Sequence, residues 1–570
     1  MNFFLDNRDL LFRFETLDLA RAVELREDGY KEAGEFAYAP SDLADARDSY
    51  HRVLELAGGI AAEFVAPRAE EVDRLGSQLV DGDVCYPPPL AESLERLRQA
   101  DLMGMTLPRR YGGLFLPVSV ATMVIELISR ADASLMNVFG LQDIGETINK
   151  FASDEIKTAY LPRFASGEVT GSMALTEPEA GSDLQNVQLK ARLGEDGRWY
   201  LTGVKRFITN GCGQISLVLA RSEEGTTDAR GLSLFLYERD EHLTIRRLED
   251  KLGIHGSPTC EMEFEDAPAL LIGERRRGLI TYVSSLMDGA RLAIGAQAVG
   301  IAEAAYQAAE KYSRERVQFG VPIGRLPAVA GMLADMKAVL TAARALLYET
   351  ALMVDLKEGL EREAERRPEQ AKEIRGEIKH MTRLAGLFTP LCKAFCTEAA
   401  NRVAYDSLQV HGGSGYMRDF AVERHLRDAR ITNIYEGTTQ LQVVAAIGGV
   451  MSGTLFGRLD EYDAALEPVP EMRDRIHSAR QALEAAVAHV RELGDSRFRE
   501  FYAGRLVAAA ADLVCCCLLA RDAAAYPERS LSARRFVRDA IPRIEAQCRV
   551  VAEGRPEDVD DAFALTAPLY

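Results

Sequence analysis

The chain has 570 residues, 47% apolar and 27% charged, with a formal net charge of −19. That length supports several domains around large cores, and the composition is that of an ordinary globular protein. The negative balance argues against nucleic acid as a partner, because phosphate binding needs a cationic surface; the acidic residues are spread along the chain and not gathered in a tail, so they read as a solvated surface.

Met1 to Leu10 carries Asp6, Arg8 and Asp9 and has no apolar core, so it does not read as a secretory signal. Residues 1–45 are expected to form an N-terminal extension of short helices. Residues 46–165 read as a helical domain: Tyr50, Val53, Leu54, Ala57, Ile60 and Ala61 recur at spacings of three and four. Pro87-Pro88-Pro89 breaks the pattern, a helix follows from about Leu90 to Ala100, and helical periodicity resumes from Pro117 to Arg130.

Near Gly171 the character changes. Residues 166–278 hold short β-like runs, Trp199–Thr202, Ile215–Ala220, Leu232–Tyr237 and Glu261–Phe264, punctuated by glycine-containing turns. Strand following strand without helices implies an antiparallel barrel or sandwich. Helical pattern returns over residues 279–450, with a long amphipathic segment from Val329 to Leu360 and a charged insert, Glu361 to Arg375, expected as an exposed helix end and turn. Pro468-Val469-Pro470 introduces an Ala-rich helical piece, and residues 451–570 read as a C-terminal helical extension. Its longest apolar stretch, Leu506 to Ala525, is interrupted by Asp512, Arg521 and Asp522 and is read as too short for a membrane span. The nine cysteines include the consecutive Cys515, Cys516 and Cys517 but no CxxC pair, so buried, reduced thiols are expected and a metal site is not. The default location is the cytoplasm.

Two clusters carry the chemistry. In Asn433-Ile434-Tyr435-Glu436-Gly437-Thr438-Thr439-Gln440-Leu441, a carboxylate sits between an aromatic and a glycine amid apolar helical sequence. Read alone, Glu436 is either a helix cap or a proton acceptor. The second cluster is Leu175-Thr176-Glu177-Pro178-Glu179-Ala180-Gly181-Ser182-Asp183. No GxGxxG follows a strand, which disfavours a Rossmann-type dinucleotide site.

Together these clusters resemble the signatures of the FAD-dependent acyl-CoA dehydrogenases over about residues 50 to 450, and the element order matches that family's plan: an N-terminal helical domain, a middle antiparallel β domain, a C-terminal helical bundle and extra C-terminal helices, as in its larger bacterial members. The resemblance implies α,β-desaturation of an acyl-CoA thioester, with Glu436 taking the α-proton and FAD the β-hydride. Some members place the base just before an arginine in the helix after the β domain; here Ala290 holds that position in Met287-Asp288-Gly289-Ala290-Arg291. By the same resemblance Met173, Ala174, Leu175 and Thr176 line the flavin, Gly181 and Ser182 approach the diphosphate, and Phe207, Ile208 and Thr209 face the ring. Phe207 stands where many members have Trp.

The segment Arg314 to Gly320 resembles one that reaches the FAD of a neighbouring subunit, through Arg316, Gln318 and Phe319. Gln409, Val410, His411, Gly412 and Gly413 resemble a glycine-rich turn at the adenosine, with His411 read as a turn residue and not a metal ligand; Thr438 and Gln440 complete the cofactor set. Pro327 departs from the family's usual Gln, which puts that contact in doubt. Ser182, Asp288, Arg291, Tyr435 and Gly437 are the candidate substrate contacts, although an Asp288–Arg291 pair at helical spacing could equally be structural. Arg275-Arg276-Arg277 reads equally as a solvated turn or a CoA phosphate contact. The implied partners are an acyl-CoA, electron-transfer flavoprotein as electron acceptor, and a second copy of the chain in a homodimer, a tetramer remaining open. An acyl-CoA oxidase, a flavin monooxygenase and a non-catalytic member are the alternatives on the same fold.

Overall fold

A computed structural model of the chain describes residues 1–369 and 371–566; Gln370, in the charged insert, and the last four residues of the C-terminal extension lie outside the described set. The short N-terminal helices are α1 (Arg8–Thr16) and α2 (Ala20–Glu27). Helix α3 (Leu43–Ile60) starts where the Asp42 carboxylate accepts from the Asp45 N–H, and the periodic residues Tyr50, Leu54, Ala57 and Ile60 form its buried face. After α4 (Ala69–Leu75) comes a hairpin that the sequence analysis misses, β1 (Gln78–Val80) against β2 (Asp83–Cys85). Its signal is Asp81-Gly82, both at positive φ, the dipeptide that favours a tight two-residue turn. Helix α5 (Pro88–Gln99) begins on the proline run, since a first-turn proline loses no helical hydrogen bond. Helices α6 (Val118–Ala131), α7 (Ala133–Gly140), α8 (Ile144–Phe151) and α9 (Asp154–Ala165) follow, with Asp132 capping α7 and Ser153 capping α9.

Strands β3 (Gly171–Ala174), β4 (Lys190–Leu193), β5 (Trp199–Thr209), β6 (Ile215–Arg221), β7 (Leu232–Glu238), β8 (Leu243–Leu248) and β9 (Thr259–Ile272) form one sheet. Its path runs β3-β6-β4-β5-β9-β7, and β7 pairs back onto β6, so the sheet closes on itself as a barrel. Most pairings are antiparallel, but β3 joins β6 in parallel and β4 meets β6 in parallel at one position, which corrects the all-antiparallel expectation. Alternate residues of β6 and β7 enter two cores. Leu217, Leu219, Leu234 and Leu236 pack with residues of α8 and α9, whereas Val218, Ala220, Phe235 and Tyr237 pack with Met262 and Phe264 inside the barrel. Burial on both faces explains why these strands read as continuous apolar runs rather than alternations.

The second half of the chain is helical: α10 (Ser284–Glu315), a small hairpin β10 (Val317–Gln318) and β11 (Val321–Pro322), then α11 (Pro327–Arg366), α12 (Ala371–His411), α13 (Val422–Thr432), α14 (Thr439–Met451), α15 (Thr454–Asp463), α16 (Pro470–Leu493), α17 (Ser496–Ala525), α18 (Ser530–Ala552) and α19 (Glu557–Thr566). The chain divides into two compact units, residues 1–11 with 27–301, and residues 12–26 with 302 onward.

In the second unit, Glu349 of α11 accepts from Arg458 (2.7 Å) and Tyr462 (2.8 Å) of α15 and from Arg521 of α17 (2.9 Å). The two guanidinium groups hold this buried carboxyl at about 2, overriding the opposing effect of burial. Arg13 pairs with Asp522 in the same unit. Helix α17 is long and apolar enough by composition to cross a membrane, so its charged residues do not by themselves settle the matter; 83% of its apolar window is buried inside the fold, as in a core helix. Cys515, Cys516 and Cys517 lie in that interior, and burial pushes the Cys517 thiol up to about 12.

Candidate functional site

The first group of site residues sits on the barrel. Met173 and Ala174 end β3, and Glu177 and Ala180 exchange both backbone hydrogen bonds (3.1 Å each), a tight turn that sets Gly181 and Ser182 out on the surface. Beneath it lies a buried ion pair. Lys205 Nζ, wholly buried on β5, donates to the Glu177 carboxylate and to the Leu175 carbonyl, each at 2.8 Å. The same carboxylate accepts from the N–H groups of Gln188 (2.7 Å) and Leu189 (2.9 Å). Burial lowers the Lys205 ammonium to about 8, against the opposing pull of Glu177.

The Arg206 N–H donates to the Thr176 carbonyl (3.0 Å), bringing Thr176 beside a β-bulge where the β5–β9 register shifts between Lys205 and Ile208. Phe207 lies within this bulge at φ +62°, is 51% exposed, and has the Arg206 guanidinium 4.6 Å from its ring centroid. A bulky residue held left-handed and pointed outward marks strain kept by the surroundings. Ala174 and Ile208, by contrast, belong to the barrel core, and Leu175 to the core under α8 and α9; only their backbones are available to a ligand. Thr176, Thr209 and Met173 are half-buried. A Cβ added at Gly181 would meet only Thr176 Cγ2, at 3.9 Å, so the approach to this turn is open.

The second group lies between α13 and α14. Glu436 is half-buried with φ +53°, followed by Gly437 at φ +88°. It does not cap α14: that role falls to Thr438, whose hydroxyl accepts from the Leu441 N–H (3.4 Å). From α12, Lys393 Nζ donates to the carbonyls of Tyr435 (2.9 Å) and Gly437 (2.5 Å). Glu398, also on α12, accepts from Asn433 (3.0 Å) and from the Thr439 hydroxyl (2.7 Å). Gln442 Nε2 donates to the Gly437 carbonyl (2.9 Å) and the Glu436 carbonyl (3.4 Å). Gln440 is exposed.

The remaining residues are dispersed. Arg316 and Gln318 are exposed on the β10–β11 hairpin, and Phe319 at its tip is 92% exposed at φ +53°. Gln409 and Val410 lie in the last turn of α12, with His411 as its final residue. This corrects the placement of His411 in the glycine turn. Its ring is buried, stacked on Tyr312 at 4.3 Å, with Nδ1 against the Ser407 carbonyl (2.8 Å), and burial lowers its basicity. Gly412 and Gly413 begin the following turn, where an added Cβ would meet nothing. Asp288 and Arg291 pair at 3.1 Å on α10.

Sequence reasoning misses Lys205, Lys393 and Gln442 as site residues. The available signal for Lys393 is a lone cation inside the apolar run Phe388-Thr389-Pro390-Leu391-Cys392-Lys393-Ala394-Phe395-Cys396 of a helix. A long charged side chain there must either reach solvent or find buried acceptors.

Four family models match the chain: acyl-CoA dehydrogenase N-terminal domain over residues 48–168, middle domain over 172–267, C-terminal domain over 277–448, and acyl-CoA dehydrogenase C terminal over 451–559. The 3-methylmercaptopropionyl-CoA dehydrogenase of Ruegeria pomeroyi is 34% identical over 538 residues, covering 87% of this chain and 86% of its own. Butyryl-CoA dehydrogenase from Megasphaera elsdenii is 30% identical with a TM-score of 0.61, covering 70% of this chain and 98% of its own. An acyl-CoA dehydrogenase complexed with FAD from Bacillus anthracis, 24% identical, has a TM-score of 0.75 over 91% of this chain and 90% of its own, a likeness of fold.

Proposed function

Since the chain belongs to the acyl-CoA dehydrogenase family, whose members are FAD-dependent oxidoreductases, we propose that it desaturates an acyl-CoA thioester between its α and β carbons, with Glu436 as the base. The observation that carries this reading is the state of Glu436: a half-buried carboxylate in a left-handed conformation, with the capping duty already taken by Thr438. An isolated glutamate ionises at about 4.3; covering by an apolar acyl chain raises that value toward the range useful for taking a carbon-bound proton.

The barrel surface suits the cofactor. Phe207 offers an exposed aromatic face, Thr176 and Thr209 add hydroxyls beside it, and the open turn at Gly181 and Ser182 admits a diphosphate. FAD, when bound, supplies the hydride acceptor for the β-carbon. Arg316 on the exposed hairpin suits diphosphate oxygens, in the manner of a guanidinium fork, from a second copy of the chain in a homodimer. Gly412 and Gly413, open to approach, take the adenosine side together with the backbone of Gln409 and Val410; Thr438 and Gln440 adjoin the base. Tyr435 and Gly437, flanking the base, are the proposed contacts to the thioester arm. Electron-transfer flavoprotein is the proposed acceptor.

The Ruegeria relative is named for a short thioether-bearing propionyl-CoA, so short acyl-CoAs with uncharged tails head the panel of substrates. The test is an anaerobic titration of the flavin spectrum with acyl-CoA thioesters of graded length. Bleaching with release of a 2-enoyl-CoA is expected, and Glu436→Gln should abolish it while the flavin stays bound. A flavin that no thioester bleaches, or a fully active Glu436→Gln enzyme, would refute the reading; rapid peroxide formation in air would point to an oxidase.

A further inference from the structure

The loop that carries Glu436 is held from within by two buried side chains. Lys393 and Gln442 are both wholly buried, one on α12 and one on α14. Between them they receive three consecutive carbonyls: Tyr435 and Gly437 on the ammonium (2.9 and 2.5 Å), Glu436 and Gly437 on the amide (3.4 and 2.9 Å). Every peptide bond here is trans, and in a trans peptide the C=O and the next N–H point in opposite directions. Drawing the Tyr435 carbonyl onto Lys393 therefore turns the Glu436 N–H away from the helix core. Drawing in the Glu436 carbonyl does the same for the Gly437 N–H. The Glu436 side chain leaves its Cα between these two fixed planes, so the direction of its Cα–Cβ bond is fixed as well.

A left-handed glutamate is strained and persists only where its surroundings impose it. Gln442 Oε1 is buried with no hydrogen-bond partner among the described residues, so the amide is engaged through its Nε2 donor to the loop.

We propose that Lys393 and Gln442 are positioning residues of the dehydrogenase reaction: they hold the Glu436 peptide planes so that the carboxylate is aimed at the α-proton and the backbone N–H groups face the thioester oxygen. This rests on the assignment of Glu436 as the base. Neither residue touches the reacting atoms, so their effect falls on the rate of proton removal and not on substrate affinity.

The experiment uses the FAD-loaded enzyme and a short acyl-CoA that bleaches it. Three quantities are measured: exchange of the α-protons with D2O by NMR, the anaerobic flavin reduction rate, and substrate KM. For Lys393→Met, exchange and kcat should fall about 100-fold, the effect of an ångström of misplacement, with KM within about threefold of the wild type. Gln442→Met, which removes the orphaned oxygen while keeping the ammonium, should melt no lower than the wild type and still lose about tenfold in exchange. It keeps the idea testable if Lys393→Met fails to fold. Wild-type exchange in Gln442→Met, or losses in Lys393→Met carried by KM and melting temperature alone, would overturn the proposal. Glu436→Gln run in parallel separates the two claims: if it still exchanges the α-protons, the base assignment itself is wrong; if it is inactive while the Lys393 and Gln442 variants are not, only the positioning role falls.

Discussion

Replacing Lys205 with Met offers a test in which stability and function should part. Lys205 lies wholly buried with its ammonium lowered from 10.5 to about 8, burial outweighing Glu177 at 2.8 Å. A shift of this size means that keeping the group protonated at neutral pH costs about 3 kcal/mol. Between pH 8 and 10.5 the unfolded chain binds the proton and the folded chain does not, so this group makes stability rise with pH across that window. Methionine removes the cost at neutral pH. Against the gain stands the loss of two donated hydrogen bonds, at about 1–3 kcal/mol for an acceptor left unmet, while the Glu177 carboxylate keeps the N–H groups of Gln188 and Leu189.

The balance predicts a melting temperature at or slightly above the wild type, where loss of one partner of a buried ion pair ordinarily costs about 3–5 kcal/mol. The Leu175 carbonyl, no longer tied to β5, should let the Thr176 turn drift and weaken FAD about tenfold, or about 1.4 kcal/mol. Calorimetry of the apoprotein and a fluorescence titration with FAD read the two quantities. Wild-type FAD affinity should weaken as pH rises through 8, where the ammonium is lost, and the Lys205→Met profile should be flat there. A melting temperature several degrees lower with unchanged FAD affinity would refute the reasoning and leave the ion pair purely structural.

Glu349→Gln removes the carboxylate shared by Arg458, Tyr462 and Arg521 and should cost about 3–5 kcal/mol, seen as earlier melting and faster proteolysis after residue 450. Because Glu349 is held at about 2 against 4.5 in the unfolded chain, its contribution is complete above pH 4.5 and lost as pH falls toward 2; an acid titration followed by circular dichroism should show that loss in the wild type and not in the variant. Phe207→Gly relieves a left-handed aromatic, so stability should hold steady or rise by about 1 kcal/mol, while FAD should bind more weakly. Unchanged FAD affinity would remove Phe207 from the cofactor site.

The barrel strands that the sequence reveals are those with uninterrupted apolar runs, β6 and β7, because both their faces are buried. Strands β5 and β9 are legible only in part: the second half of β5 carries Gly203 and the outward Phe207, and β9 carries Asp266 at φ +47° and Pro268. Irregularities of this kind look like turns until the partner strand is known. The short β3, β4 and β8 offer too few residues for a period. In the Glu436 loop, the residues read alone offer either a cap or a base, and the family resemblance favours the base; that the cap of α14 is Thr438, through its hydroxyl on the Leu441 N–H, is visible only in the structure. His411 is misread because its neighbour glycines suggest a turn, whereas its ring completes a stack with Tyr312 that no local pattern announces. The buried lysines escape notice for the same reason: their acceptors lie 30 residues away for Lys205 and 42 for Lys393.

The Glu349 cluster bears on how a chain of this length could have arisen. Its two arginines both come from beyond residue 450, one on α15 and one on α17, while the carboxylate belongs to α11. A shorter ancestor without those helices would have had no cation from them to meet a carboxylate at this place, and an acidic residue gained there first would have been a defect. Shorter relatives such as the Megasphaera enzyme, which spans 70% of this chain, should carry an uncharged side chain where this chain has Glu349.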